Sequence, residues 1–137
     1  MFNFNFNRHN IFDNILGNGF KRGSNSRSSR FSGEYKVIPQ EELHEFLKQD
    51  VCVLDVTTES EFKSMHIKNA INIPLNVLGR NFQSMVPDIK TKILVYCVTG
   101  ERTRIAIQKL NNMGYKNIHI WGNGGLNTLK LKELLEY

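Results

Sequence analysis

The stretch Ile93-Leu94-Val95-Tyr96-Cys97-Val98-Thr99-Gly100-Glu101-Arg102-Thr103 holds both the strongest fold signal and the strongest chemical signal in this chain. Ile93–Cys97 is an unbroken apolar run, the pattern of a strand buried on both faces. Arg104 to Met113 then reads as a helix, with Ala106, Leu110 and Met113 on one side and Gly114 placed as its C-terminal cap. Strand, short loop and helix together predict half of a βαβ unit.

The same grammar extends outward in both directions. Val51–Val56 is a second apolar run, ending in Asp55-Val56, and reads as another doubly buried strand. Before it, Tyr35–Ile38 predicts a short strand, and Pro39 opens a helix carrying Leu43, Phe46 and Leu47. After it come a short polar helix around Ser60–Ser64 and a strand in Ala70–Ile73 closed by Pro74. A helix in Leu78–Met85 is then interrupted by Pro87. Beyond Gly114, Ile118–Trp121 predicts a last strand and Leu126–Leu135 a last helix. The expected fold is α/β: a parallel sheet with helices on both faces, occupying residues 34–137. In such sheets the working crevice lies outside the carboxyl ends of the strands. That rule selects Asp55–Thr58, Pro74–Leu78, Cys97–Thr103 and Gly122–Gly125.

Within that set, the cysteine loop has chemical consequences. A loop that closes onto a helix start aims unpaired backbone N–H groups at one point and adds the positive end of the helix dipole. Gly100 permits the backbone turn that a tight cradle needs, and Arg102 brings a fixed, forked donor for an anion. A thiol held there is expected to be ionised, giving a nucleophile inside an anion cradle. A lone cysteine is more often a small core hydrophobe, and Cys52 is read that way. At Cys97 the strand end, Gly100, Arg102 and the helix start coincide, which favours chemistry. Asp55 has two open readings, as a partner for backbone near the cysteine loop or as the terminator of its strand. His66 reads as a packing or local hydrogen-bonding residue. Gly124-Gly125 would let the last helix start close to the crevice, and Trp121 belongs to rim or core. His44 and His119 show no ligand spacing with either cysteine, so no metal is expected.

Taken in order, VCVLDV, EFKSMHIKNAINIPL, ILVYCVTGERT, IAIQKLNNMGY and NIHIWGNGG resemble the single-domain rhodaneses, a sulfurtransferase family, over residues 35–129. The resemblance implies a rhodanese-like sheet and a persulfide mechanism without a cofactor. Cys97 would take the outer sulfur of a donor such as thiosulfate and pass it to a thiophilic acceptor, cyanide or a thiol. Residues Val98, Thr99, Gly100, Glu101, Arg102 and Thr103 would form the anion-binding loop. The implied partners are a small sulfur donor, its acceptor and a sulfur-relay protein. Two positions depart from the family pattern. Thr57 stands where Arg is usual and Met65 where Gly is usual, and the missing charge predicts weak use of thiosulfate. Leu129, where an aromatic residue is common, concerns packing. Two alternatives remain beside the enzyme. One is a non-enzymatic sulfur-carrier or interaction module of the same fold, which the presence of Cys97 disfavours. The other is a cysteine-dependent phosphatase or arsenate reductase, whose Cys-x5-Arg loop is one residue longer than the Cys97–Arg102 spacing.

Composition bounds the rest. The chain has 137 residues, 40% hydrophobic and 23% charged, ordinary for one globular domain. No apolar run approaches the roughly 20 residues needed to cross a bilayer. Two cysteines are too few for a disulfide scaffold and favour a reducing, cytoplasmic setting. The formal charge of +5 is concentrated in residues 1–33, where Arg8, Lys21, Arg22, Arg27 and Arg30 face Asp13 alone. The remaining residues are nearly neutral, so no nucleic-acid-binding face is expected on the domain. Residues 1–33 read as a disordered Asn/Phe then Ser/Arg-rich tail. A sharper reading makes 2–20 an amphipathic contact for a membrane surface or a partner.

Overall fold

The computed structural model describes residues 33–137. The expectations for residues 1–32 lie outside the described part. Among the described residues, seven strands and four α-helices form in chain order. The strands are β1 (Lys36–Val37), β2 (Cys52–Asp55), β3 (His66–Ile67), β4 (Ile71–Asn72), β5 (Ile93–Tyr96), β6 (Ile118–Ile120) and β7 (Leu135–Glu136). The helices are α1 (Leu43–Leu47), α2 (Glu59–Ser64), α3 (Arg80–Met85) and α4 (Glu101–Asn112). Five strands make a parallel sheet in the order β1-β6-β5-β2-β4, and β3 pairs antiparallel with β7 in a separate two-stranded ribbon.

The two apolar runs become the central pair of the sheet. β2 and β5 lie in register from Cys52 opposite Ile93 to Asp55 opposite Tyr96, all of them buried. Strand alternation sorts their side chains into two layers. Cys52, Leu54, Ile93, Val95 and Cys97 face α3 and α4, where they meet Phe82, Val86, Ala106, Ile107 and Leu110. Val53, Leu94 and Tyr96 face the opposite layer, made by Leu43 and Phe46 of α1 with Trp121, Leu126 and Leu129. The expected α/β fold with both sheet faces covered is therefore present. Trp121 belongs to the core.

Helix α4 ends in a Schellman arrangement. Tyr115 N–H reaches Leu110 O at 2.9 Å and Gly114 N–H reaches Asn111 O at 2.9 Å, with Gly114 at φ +106°. Tyr115 and Leu110 then pack in the same apolar layer. The start of α4 lies at Glu101, three residues earlier than the apolar pattern alone indicated.

The expected last helix over Leu126–Leu135 does not form. The segment contains two short 3-10 turns, Leu126–Thr128 and Lys132–Leu134, before β7. Gln40, far away in sequence, captures the backbone groups that a helix would use internally. Its Nε2 donates to Thr128 O at 2.5 Å, and its Oε1 accepts from Lys130 N–H at 2.7 Å. Leu129 consequently stays extended, and the leucines around it are partitioned between core and ribbon. Gly125 precedes the first of these 3-10 turns rather than an α-helix. Gly124 and Gly125 let the closing segment lie directly under the cysteine loop.

Candidate active site

Two strand ends converge at the crevice, Asp55 of β2 and Cys97 just past β5. The backbone from Cys97 to Gly100 is pinned from below by the segment Gly122–Asn127. Cys97 N–H donates to Gly124 O at 3.1 Å, and Cys97 O accepts from Leu126 N–H at 2.9 Å. Val98 O accepts from Asn127 N–H at 3.0 Å. Thr103 uses its hydroxyl on Gly124 O at 2.8 Å, so it fastens α4 to this floor and is itself buried. These contacts leave little room. A β-carbon on Gly100 would come within 2.5 Å of Asn123 O, and one on Gly125 within 2.5 Å of Val98 O.

Above the floor, the loop turns on Gly100, whose φ of +101° is a left-handed value that other residues resist. That turn points Gly100 N–H at the Cys97 sulfur, 3.0 Å away. Gly100 is also the N-terminal cap of the twelve-residue α4, and it supplies no side chain to satisfy the helix start. Cys97 is fully buried beneath this loop. Val98 is half-buried, while Thr99 and Glu101 are exposed. The Thr99 hydroxyl donates to the Glu101 carboxylate, which holds that carboxyl below its ordinary range.

Arg102 is the charged member of the loop, and it is already engaged. Its Nη1 donates to Glu61 Oε1 at 2.8 Å and its Nη2 to Glu61 Oε2 at 3.2 Å, a bidentate pair. These bonds, reinforced by the fields of Glu61, Cys97 and Asp55, push the Arg102 pKa above its ordinary value. Glu61 is held in turn by the start of α2. Its Oε1 accepts from Thr58 N–H at 2.9 Å and from the Thr58 hydroxyl at 3.0 Å, while Glu61 N–H returns a bond to that hydroxyl at 3.1 Å. The hydrogen bonds from Arg102, and then those from Thr58, bring the Glu61 carboxyl down from 4.5 to about 2. Glu61 was not among the residues selected from sequence. The spacing Thr58-x-x-Glu61 ahead of a helix, a capping-box pattern, was the available signal.

Asp55 resolves toward one of its two readings. Its Oδ1 accepts from Thr57 N–H at 2.8 Å and from the Thr57 hydroxyl, so it ties off the corner after β2. The Tyr96 hydroxyl lies beside the Asp55 carboxylate. Burial raises the Asp55 pKa, against the hydrogen bonds of Thr57 and Tyr96. Tyr96 OH accepts from Ile67 N–H at 3.0 Å, and its own pKa is driven far up by burial and by Asp55. Thr57, in the place of the expected Arg, is buried and turned onto Asp55, so it adds no charge to the crevice. Met65 is extended at φ −168°, a conformation open to any residue, and needs no glycine. Leu129 packs in the core.

The other polar candidates serve local structure. His66 stacks on Phe62 at 3.8 Å, with Nδ1 2.7 Å from Phe62 O and Nε2 3.2 Å from Glu136. His44 pairs with Glu133 at 3.1 Å, and His119 lies buried against Phe46. Cys52 is buried at the start of β2, and burial pushes its thiol up to about 12.

Residues 39–131 match the rhodanese-like domain family. The chain is similar to the thiosulfate sulfurtransferase PspE of Escherichia coli (strain K12), 31% identical over 81 residues, 59% of this chain and 76% of that protein. Among solved structures it is similar to a rhodanese-related protein from Thermoplasma volcanium, 30% identical with a TM-score of 0.57, over 69% of this chain and 90% of that one. It is also similar to a rhodanese with anions from E. coli, 31% identical with a TM-score of 0.51, over 58% of this chain and 92% of that one. A cysteine at the end of a central parallel strand, beneath a glycine-turned loop at a helix start, thus sits in a matching sequence and a matching fold: this chain belongs to the rhodanese-like domain family.

Proposed function

We propose that the protein is a sulfurtransferase that carries sulfane sulfur as a persulfide on Cys97. The observation that bears most weight is the Gly100 N–H directed at the Cys97 sulfur at 3.0 Å, in a loop whose helix start has no side-chain cap. With thiosulfate, the Cys97 thiolate attacks the outer sulfur, a new S–S bond forms, the bond to the sulfonate sulfur breaks, and sulfite leaves with that electron pair. An acceptor such as cyanide then attacks the outer persulfide sulfur. It leaves as thiocyanate, and the Cys97 thiolate is regenerated. The donors that face the sulfur stabilise negative charge as it moves onto the outer atom. The chemistry is complete with side chains and substrates, so the reading includes no cofactor. It places the protein with a small donor, a thiophilic acceptor or a relay protein, in a reducing compartment that keeps Cys97 free.

Loop size supports sulfur over phosphoryl transfer. Four residues lie between Cys97 and Arg102, and a transferred sulfur is one atom that a small ring of donors can surround. A phosphoryl group needs donors spread over three equatorial oxygens around an in-line attack. Arg102, already bidentate on Glu61, is poorly placed to supply them.

The test is the intact mass of the protein after a sulfane donor and then after cyanide, beside an assay with an aryl phosphate and with Cys97→Ser as blank. The expected result is a gain of one sulfur atom, lost to cyanide, with no cysteine-dependent phosphate release. Phosphate release without sulfur loading would overturn the assignment.

A further inference from the structure

The arginine of the cysteine loop is spent on an internal partner. Arg102 gives both terminal nitrogens to Glu61, at 2.8 and 3.2 Å. The Glu61 carboxylate is fixed by Thr58 as well, so an incoming anion must displace a preorganised pair rather than meet an open guanidinium. Position 57 supplies no replacement charge, because threonine is neutral, and its hydroxyl is turned onto Asp55. Among the described residues, the other ionisable groups acting at the loop are Asp55 at the end of β2, Glu101, which accepts from Thr99, and the exposed Arg104 one turn along α4, which also acts on Glu101. The loop therefore offers backbone dipoles to the transferred sulfur, with its own arginine already balanced.

We propose that Glu61 is a specificity-determining residue, which neutralises Arg102 and directs the site toward sulfane donors bearing at most one negative charge, R–S–SH or R–SO2–S⁻, and away from dianions such as thiosulfate. The inference rests on the sulfurtransferase reading and adds its substrate class. With a persulfide donor, the Cys97 thiolate attacks the outer sulfur of R–S–SH, forms the new S–S bond and expels R–S⁻, the proton staying on the transferred sulfur. With a thiosulfonate, R–SO2–S⁻ transfers its outer sulfur and leaves as the sulfinate R–SO2⁻. Neither step needs an oxidant or a reductant. The repulsion between Glu61 and a donor scales with the donor's charge, so a dianion feels about twice what a monoanion feels at the same position.

The experiment compares two donors that differ by one charge, thiosulfate and methanethiosulfonate. It measures kcat/KM for sulfur loading in the wild type, Glu61→Gln and Glu59→Gln. Glutamine keeps an acceptor for Thr58 at the third helical position, so the start of α2 is retained. Glu59, paired with Lys63 at 3.6 Å, controls for the loss of one charge from the same helix. Glu61→Gln is expected to raise the thiosulfate value roughly tenfold and the methanethiosulfonate value roughly threefold, shifting their ratio about threefold. Glu59→Gln is expected to leave that ratio alone. A purely structural role for Glu61 would lower both donors together at constant ratio, and that result overturns the proposal. So does a Glu59→Gln shift as large as that of Glu61→Gln. Loading by neither donor in the wild type would instead sink the sulfurtransferase reading, and this inference with it.

Discussion

Two strand-to-helix corners meet at the crevice, and their helix starts are finished in opposite ways. After β5, the cap is Gly100, which has no side chain, and its N–H points at the Cys97 sulfur. After β2, the cap is Thr58, and Thr58 with Glu61 closes a complete capping box. One corner starts its helix on a residue with no side chain, while the other closes the helix start with two of its own side chains. The closed corner also exports its carboxylate to the open one, where it occupies Arg102. Similar backbone topology therefore yields a candidate reaction centre at one corner and a counter-charge at the other.

The largest test of this contrast is Cys97→Ser. It is nearly isosteric and should abolish sulfur transfer, with a melting temperature close to wild type, read by loading and by calorimetry. Turnover comparable to wild type would remove the open corner from the chemistry. Gly100→Ala comes next. The added carbon meets Asn123 O at 2.5 Å, and φ of +101° is strained for alanine. We expect a loss of about 1–3 kcal/mol in denaturant unfolding, with transfer falling more than stability alone explains. Unchanged loading would show that the Gly100 N–H does not serve the sulfur.

At the closed corner, Thr58→Ala should cost about 0.5–2 kcal/mol through the lost cap while leaving Cys97 able to load sulfur. Loss of loading would mean that the two corners are not separable. The smallest effect is in pH. The folded-state Glu61 carboxyl titrates near 2 rather than at 4.5, so its stabilisation is present above about pH 4.5 and fades as pH falls toward 2. Its side chain is 40% exposed and screened, so the difference between wild type and Glu61→Gln should stay below about 1 kcal/mol. A wild-type advantage that grew on acidification would reverse the assigned sign.

The contrast was half legible in the sequence. Val51–Val56 and Ile93–Cys97 announced the central strands because burial on both faces removes the polar alternation that otherwise blurs a strand. Gly114 was readable because only a left-handed residue completes that helix end. Cys97 and Gly100 stood out because strand end, glycine and helix start fell together. What stayed hidden depended on partners remote in sequence. Gln40 prevents a helix at Leu126–Leu135 from 88 and 90 residues away. The ribbon of β3 and β7 joins His66 to Glu136, 70 residues apart and on either side of β5. Arg102 looked like a free anion donor because its partner Glu61 lies 41 positions earlier. Local periodicity carries no information about such pairs.

The floor beneath the cysteine loop has a consequence in time. Cys97 N–H and Val98 O find their partners in Gly124 and Asn127, which are synthesised after the loop they support. While the chain is being made, Cys97 exists before the floor that holds its loop. Contacts that distant in sequence form late because the intervening chain must first be ordered. A chain stopped short of Gly124 would therefore carry the Cys97 thiol without the backbone contacts that hold its loop in place.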